Sequence, residues 1–315
     1  MGINSIDFTF YNKFDRMMTL VGDTMEKDKK IFALGFFDGV HRGHRAILKK
    51  ASDLAREKGM QTAAVTFESH PRAFVRGRAP DMINTFERRC ALLQEAGAQL
   101  VIALPFDQKM AETSPEAFAE MLRDQYRGAV VVCGDNFRFG RNAAGKPEHF
   151  EAFGLETHVV PPVVFSGRVV SSTFIRESVR DGKVGRAKQL LGRPFFLEGP
   201  IVGGFQVGRT LGYPTINIRV DNGILMPHRG VYVSRVTVDG QSFKAVTNVG
   251  TRPTFTDADI VSVESHLLNF SGDIYGHEAR VDFLKFLRPE RGFSDGEALR
   301  QQITRDIQQA LDYHG

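Results

Sequence analysis

The sequence lacks several features that mark whole classes of protein. No apolar run approaches the roughly 18 residues that a membrane-spanning helix needs, so no span and no membrane partner are expected. Cysteine is nearly absent. Cys90 and Cys133 are the only two, and neither stands near a second ligand at metal spacing. Cys133 ends the apolar run 129–133 and reads as a buried, reduced thiol, which points to the cytoplasm. An excess of one charge is lacking too. The formal net charge is +4, spread without a Lys/Arg block, which suits phosphorylated ligands and not nucleic acid. Residues 1–30 carry Asp7, Asp15, Asp23, Glu26 and Asp28 and no continuous apolar stretch, so no secretory signal is expected. Ile6 stands where myristoylation needs Ser or Thr. Repeats and low-complexity segments are also missing.

What is present is a globular balance, 42% hydrophobic and 25% charged, in 315 residues. That length is too great for one ordinary core and implies two domains. Up to about residue 190, short apolar runs at 31–36, 62–67, 100–104, 129–133 and 158–160 alternate with helix-like stretches at 46–58, 86–95 and 115–126. Ser114-Pro115-Glu116 opens the last of these, an N-cap followed by proline at the first helical position. This alternation implies a mostly parallel sheet with helices on both faces. After Leu191-Gly192-Arg193-Pro194 the texture changes to Val- and Phe-rich strand candidates at 195–205, 230–238, 243–249, 262–270 and 278–287, with Gly between them. These read as an antiparallel barrel or sandwich. A last helix is expected from Ser294, with Glu297 completing a capping box. Its stripe Leu299, Ile303, Ile307 and Leu311 should pack on the barrel. The domains are placed at 1–190 and 191–315.

Two segments carry chemistry. In Gly35-Phe-Phe-Asp-Gly-Val-His-Arg-Gly-His44, a strand ends at Phe36 and a helix begins near Gly43. In open parallel sheets, ligands bind beyond the carboxyl ends of strands, where helix N-termini present N–H groups. Gly39 and Gly43 allow backbone to approach a phosphate. His41 and His44, three apart, share a face on a first turn and suit ATP phosphates and a leaving pyrophosphate. The alternative is a polar helix start with one His satisfied by backbone. The His-x-Gly-His signature resembles the nucleotidyltransferase superfamily. Ser171-Ser172-Thr173-Phe174-Ile175-Arg176 offers hydroxyls and an Arg fork of the kind that binds phosphate. Gly140 to Pro147 nearly has P-loop spacing, but Pro147 lacks the hydroxyl that such a loop needs, so the match is rejected.

The second segment is Gly208-Arg-Thr-Leu-Gly-Tyr-Pro-Thr215-Ile-Asn217. Thr215 and Asn217 point to the same side of a strand, and two neutral oxygen ligands beside glycines suit Mg2+. Alternation along Val263-Glu-Ser-His-Leu-Leu268 puts Glu264 and His266 on one face. If that face lines the barrel interior, Glu264 is a carboxylate in a cleft and a candidate general base.

In this order, the two halves resemble the bacterial bifunctional riboflavin kinase/FMN adenylyltransferase (FAD synthetase) family. Besides the segments above, the likeness rests on Thr66-Phe-Glu-Ser-His-Pro71, Gly134-Asp-Asn-Phe-Arg-Phe-Gly140, Asn248-Val-Gly-Thr-Arg-Pro-Thr-Phe255, Glu264-Ser-His-Leu-Leu-Asn-Phe270 and Gly272-Asp-Ile-Tyr-Gly276. The resemblance implies a Rossmann-like nucleotidyltransferase domain followed by a riboflavin-kinase-like barrel. It implies phosphorylation of riboflavin by Mg-ATP to FMN, then transfer of AMP from a second ATP to give FAD. Glu264 would be the kinase base, with Thr215 and Asn217 holding magnesium. His41, His44, Gly35, Phe37, Asp38, Gly39 and Gly43 would meet ATP, with Ser171, Ser172, Thr173 and Arg176 closing on its phosphates. Gly208, Arg209 and Gly212 would bind phosphate in the kinase half, and Phe137, Arg138 and Asn248 would contact flavin. The chain departs from the pattern at Phe36, at Ser69 and in the loop 140–146, where Ala143, Gly145 and Lys146 stand. Two other readings are a nucleotidyltransferase with a different acceptor such as phosphopantetheine, which needs no kinase barrel, and a flavin sensor without catalysis, which does not need Glu264, His41 and His44.

Overall fold

The computed structural model describes residues 29–203, 213–252, 260–270, 272 and 274–314. Contacts divide the chain into two units, Met1–Pro80 with Thr85–Val170, and Asp81–Asn84 with Ser171–Gly315.

In the first unit, β1 (Lys30–Leu34), α1 (Arg42–Lys58), β2 (Gln61–Phe67), α2 (Pro71–Arg76), α3 (Phe86–Glu95), β3 (Leu100–Leu104), α4 (Gln108–Glu112), α5 (Pro115–Glu120), β4 (Gly128–Gly134), α6 (His149–Ala152) and β5 (Glu156–Val160) follow in order, ending in the hairpin β6 (Val164–Phe165) and β7 (Arg168–Val169). The five longer strands form one parallel sheet in the order β3-β2-β1-β4-β5. Ile31, Phe32 and Ala33 are wholly buried, as a strand covered on both faces must be. In α1 the buried residues Ile47, Leu48, Ala51, Leu54 and Ala55 recur at helical spacing, which seats the helix on the sheet. Gly59, at φ 65°, ends it. The single helix expected over 115–126 is two pieces. After Glu120 the hydrogen bonding widens to a π-helical turn, Met121–Gln125, closed by Tyr126 N–H donating to the Met121 carbonyl.

The second unit opens with α7 (Ser172–Arg180) and α8 (Val184–Leu191). Six strands follow: β8 (Phe195–Val202), β9 (Thr215–Ile218), β10 (Gly230–Val238), β11 (Gln241–Arg252), β12 (Ile260–Leu267) and β13 (Glu278–Arg288). They close a barrel in the order β10-β11-β12-β9-β8-β13, with every pairing antiparallel. Among the described residues, closure pairs each barrel strand with a neighbour on both sides. Inside, the hydroxyls of Ser234, Thr247 and Ser265 form a chain, at 2.6 and 2.7 Å, and all three residues are buried. Met82, from the short segment that belongs to this unit, bridges Ile224, and Arg176 Nε donates to the Asp81 carbonyl at 2.7 Å.

Helix α9 (Gly296–His314) ends the fold. Its cap is Asp295, not Ser294. The Asp295 carboxylate accepts from Ala298 N–H at 2.8 Å, while the Ser294 hydroxyl bonds to Asp295. That backbone N–H, more than any other group, holds the Asp295 carboxyl below its ordinary range. The expected stripe holds at Leu299, Ile303 and Ile307, which face the barrel wall, and gives out at Leu311. Ala310 packs with Val233, Leu268 and Leu284, while Leu311 is 36% exposed. The buried positions include Gln302 and Asp306, polar residues that an apolar stripe cannot reveal.

Cys133 is fully buried, and burial pushes its thiol up to about 12. The thiolate is the reacting form. Iodoacetamide at pH 8 should therefore leave Cys133 unmodified in the native chain and label it in denaturant. Peptide mass spectrometry reads the difference, and native labelling at a free-thiol rate would contradict it.

Candidate active sites

In the first unit the strand order reverses between β1 and β4, so a crevice is expected beyond their carboxyl ends. A cavity of about 390 Å³ lies there, bounded by Gly35, Phe37 and His44 after β1, Thr66 from β2, and Phe137 and Arg138 after β4. The turn from β1 to α1 is unusual. Phe37, Gly39 and Val40 all take positive φ, at 60°, 81° and 38°. Gly39 does so freely, whereas a residue with Cβ pays on the order of 1–3 kcal/mol. Phe37 and Val40 are 1% and 0% exposed, so packing holds them. A Cβ on Gly35 would stand 2.8 Å from the Phe37 ring. The Thr66 hydroxyl donates to the Phe36 carbonyl at 3.0 Å.

Arg89 braces this turn. It is 1% exposed, donates through Nη2 to the carbonyls of Phe67 and Glu68 at 2.6 and 3.2 Å, and lies 4.2 Å over the Phe36 ring. Burial lowers its pKa, and the buried Asp38 carboxylate opposes that shift. The sequence pattern gave Arg89 no role, because an Arg inside a helical period reads as surface.

The two histidines lie together, with rings stacked at 3.5 Å and 18°. Their positions differ. His41, 5% exposed, is the N-cap of α1, and its Nδ1 accepts the His44 N–H at 3.3 Å. A neutral His41 therefore carries its proton on Nε2. His44 borders the cavity and meets Phe37 edge-on at 5.2 Å. Gly43 admits the His41 ring, since a Cβ there would stand 3.1 Å from it. No acidic residue occupies the first turn of α1, whose N-terminal end carries the positive pole of the helix dipole. Phe137 both borders the cavity and stacks toward Phe139 and Phe150 in the core. Arg138 folds back to donate to the Phe137 carbonyl at 2.7 Å. The segment after Gly140 is a short 3-10 turn, Arg141–Ala143, with Asn142 and Ala143 at positive φ, and not the helix start of a P-loop.

In the second unit, register builds the site. Glu264 pairs with Asn248 on one side and Asn217 on the other, and His266 pairs with Val246 and Thr215. Residues directly opposite share a face. That face is not the barrel interior, which takes Ser265 and Thr247. Val246 on the same face packs with Ala310 and Ile307 of α9, so Glu264 looks outward under the helix. Here a cavity of about 300 Å³ is bounded by Thr215, Asn248, Glu264 and His266 on the wall and by Leu299 and Ile303 of α9. Asn217 is 4% exposed and extends the Glu264 row. Asn248 Nδ2 donates to Glu290 Oε1 at 2.9 Å.

Sequence reasoning missed the polar rim of this cavity. Arg288 forms a forked pair with Asp306, at 2.8 Å from Nη2 and 3.1 Å from Nε. Gln302 donates to Asp306 at 2.8 Å and accepts from Arg291 at 2.6 Å. The i, i+4 pair Gln302 and Asp306 on an otherwise apolar helix face was the available signal. Gly208, Arg209 and Gly212 lie outside the described residues. Ser171, Ser172, Thr173 and Arg176 belong to the second unit, where Ser171 caps α7 by accepting Phe174 N–H at 3.2 Å.

The family model for FAD synthetase matches residues 23–174, and the one for riboflavin kinase matches 191–314. The chain is 34% identical to the bifunctional riboflavin kinase/FMN adenylyltransferase of Listeria monocytogenes, over 89% of this chain and 90% of that one. The chain belongs to the bifunctional riboflavin kinase/FMN adenylyltransferase family. It phosphorylates riboflavin to FMN and adenylylates FMN to FAD, with ATP as co-substrate. The family members of Bacillus subtilis and Escherichia coli K12 are each 32% identical, over 91% and 90% of this chain and 93% of theirs. A solved structure of a Streptococcus pneumoniae protein described as a macrolide-efflux protein matches with a TM-score of 0.84 at 30% identity, covering 89% of this chain and 93% of that one. Among the described residues here, no helix is long and apolar enough to cross a membrane.

Arg288→Met should leave the Asp306 carboxylate, whose side chain is 3% exposed, without its cation and cost about 3–5 kcal/mol. Urea unfolding followed by circular dichroism measures it. Adding Asp306→Leu should recover most of the loss, and a single variant as stable as the parent would contradict the burial argument.

Proposed function

We propose that residues 1–190 carry the adenylyl transfer and residues 191–315 the phosphorylation. The reading rests most on one observation, the row of Asn248, Glu264 and Asn217 beside a cavity under α9. Glu264 takes the proton of the riboflavin 5′-hydroxyl as that oxygen bonds to the γ-phosphorus of ATP and the bond to ADP breaks. Thr215 and Asn217 present a hydroxyl and an amide oxygen, hard neutral donors of the kind magnesium accepts alongside waters and phosphates. Bound there, magnesium would neutralise the phosphate charge. Asn248, held by Glu290, meets the flavin. Gly208, Arg209 and Gly212 bind phosphate in the same half.

In the first half, an FMN phosphate oxygen attacks the α-phosphorus of ATP and pyrophosphate leaves. His44 donates to the departing phosphates, and His41 keeps the helix start in place and supports His44 from behind. Gly35, Phe37, Asp38, Gly39 and Gly43 shape the turn that receives ATP, and Phe137 and Arg138 contact FMN. Ser171, Ser172, Thr173 and Arg176 are assigned as phosphate ligands on their chemistry. The cytoplasm is the compartment, in keeping with two buried free thiols.

Chromatography of flavins formed from riboflavin, ATP and magnesium, and again from FMN, tests this division. The parent should give FAD from both. Glu264→Ala should abolish FMN formation and leave FMN-to-FAD conversion intact, and His44→Ala should do the reverse, lowering adenylyl transfer by roughly 100-fold or more. Loss of both reactions from either single change in a folded chain would overturn the division.

A further inference from the structure

His266 has no task in either reaction as set out above, yet its surroundings are specific. Its Nδ1 lies 2.9 Å from the carbonyl oxygen of Pro214. A carbonyl only accepts, so Nδ1 carries the proton and Nε2 of the neutral ring is bare. The Tyr213 ring meets the imidazole edge-on, with centroids 5.6 Å apart at 90°. The Tyr213 hydroxyl is in turn 3.1 Å from the Thr304 hydroxyl on α9. Register places His266 directly opposite Thr215, two positions along β12 from Glu264 on the same face. One ring thus touches both residues that lead the chain into Thr215.

That lead-in needs an anchor. Strand β9 begins at Thr215, and Pro214 has no N–H, so its carbonyl is the one backbone group of that residue able to hydrogen-bond. We propose that His266 is a positioning residue of the kinase site. By donating Nδ1–H to Pro214, it fixes the chain entering β9 and holds the Thr215 hydroxyl where, with Asn217, it would meet phosphate-bound magnesium. The inference rests on the reading of Thr215 and Asn217 given above and deepens it.

Two substitutions in the full chain separate the donor from the ring. Asparagine places its amide N–H close to where Nδ1–H sits, whereas leucine offers none. His266→Leu should lower riboflavin phosphorylation by roughly 10- to 100-fold, raising both the KM for ATP and the magnesium concentration at half-maximal rate. His266→Asn should recover most of that loss. FMN adenylylation in the same samples reports folding and should stay at the parent rate. Equal damage in the two variants, or a fall in kcat with KM and magnesium demand unchanged, would overturn the proposal. A second readout needs no turnover. Nitrogen-15 NMR of the histidine-labelled chain should show the neutral His266 ring protonated at Nδ1 and bare at Nε2, and the opposite tautomer would refute it. Thr215→Ala is the reference. If it leaves the magnesium requirement unmoved, the ligand reading itself fails. If it raises the requirement while His266→Leu does not, this inference alone fails.

Discussion

Backbone pairing across β11, β12 and β9 sets Asn248, Glu264 and Asn217 in one row and Val246, His266 and Thr215 in the next. A one-residue slip of β12 would exchange Glu264 for Ser265 and turn the carboxylate into the barrel. Everything chemical in the second unit depends on this register being unique. The two faces enforce it. Ser265 and Thr247 are hydrogen-bonded inside, and Val246 packs under α9 outside, so neither face tolerates the other's residues. The polar group of Arg288, Asp306, Gln302 and Arg291 ties the helix over the cavity with directional bonds that apolar packing alone lacks.

The first unit meets a different demand, a tight turn beyond a parallel strand. Positive φ at Phe37 and Val40 is strain that burial sustains, and Arg89 and Thr66 hold the neighbouring carbonyls in place. His41 serves the helix start while His44 faces the cavity. A motif of two histidines thus divides into a helix-capping and a cavity-facing member.

Much of this was legible in residue order. Short apolar runs alternating with helical periods located the parallel strands of the first sheet within a few residues, and the change of texture after Pro194 announced the barrel. The His-x-Gly-His turn, the Thr215 and Asn217 pair, and Glu264 could each be named because each lies in a short local motif. What could not be read was which side of the barrel wall Glu264 faces. Period-2 alternation separates two faces without saying which is inside, and here the outer face is roofed by α9. Arg89, Gln302 and Asp306 escaped notice for a related reason. Polar residues inside helical periods read as solvent-facing until a partner from a distant strand buries them. The cap of α9 moved by one residue because Ser294 and Asp295 both cap well, and the choice lies in the chain path before them.

Behind the row that holds Glu264 runs the hydroxyl chain Ser234, Thr247 and Ser265. Each link works with either oxygen as donor, so the chain has two senses that differ only in how the O–H bonds point. Reversal keeps both links and proceeds by concerted rotation about three C–O bonds. A fixed dipole would favour one charge state in front of it. A reversible one reorients toward whatever charge gathers on the far side of the wall. The barrel lining is therefore locally more polarisable than its apolar surroundings, a medium of raised effective dielectric set one strand's thickness from where phosphate charge would shift.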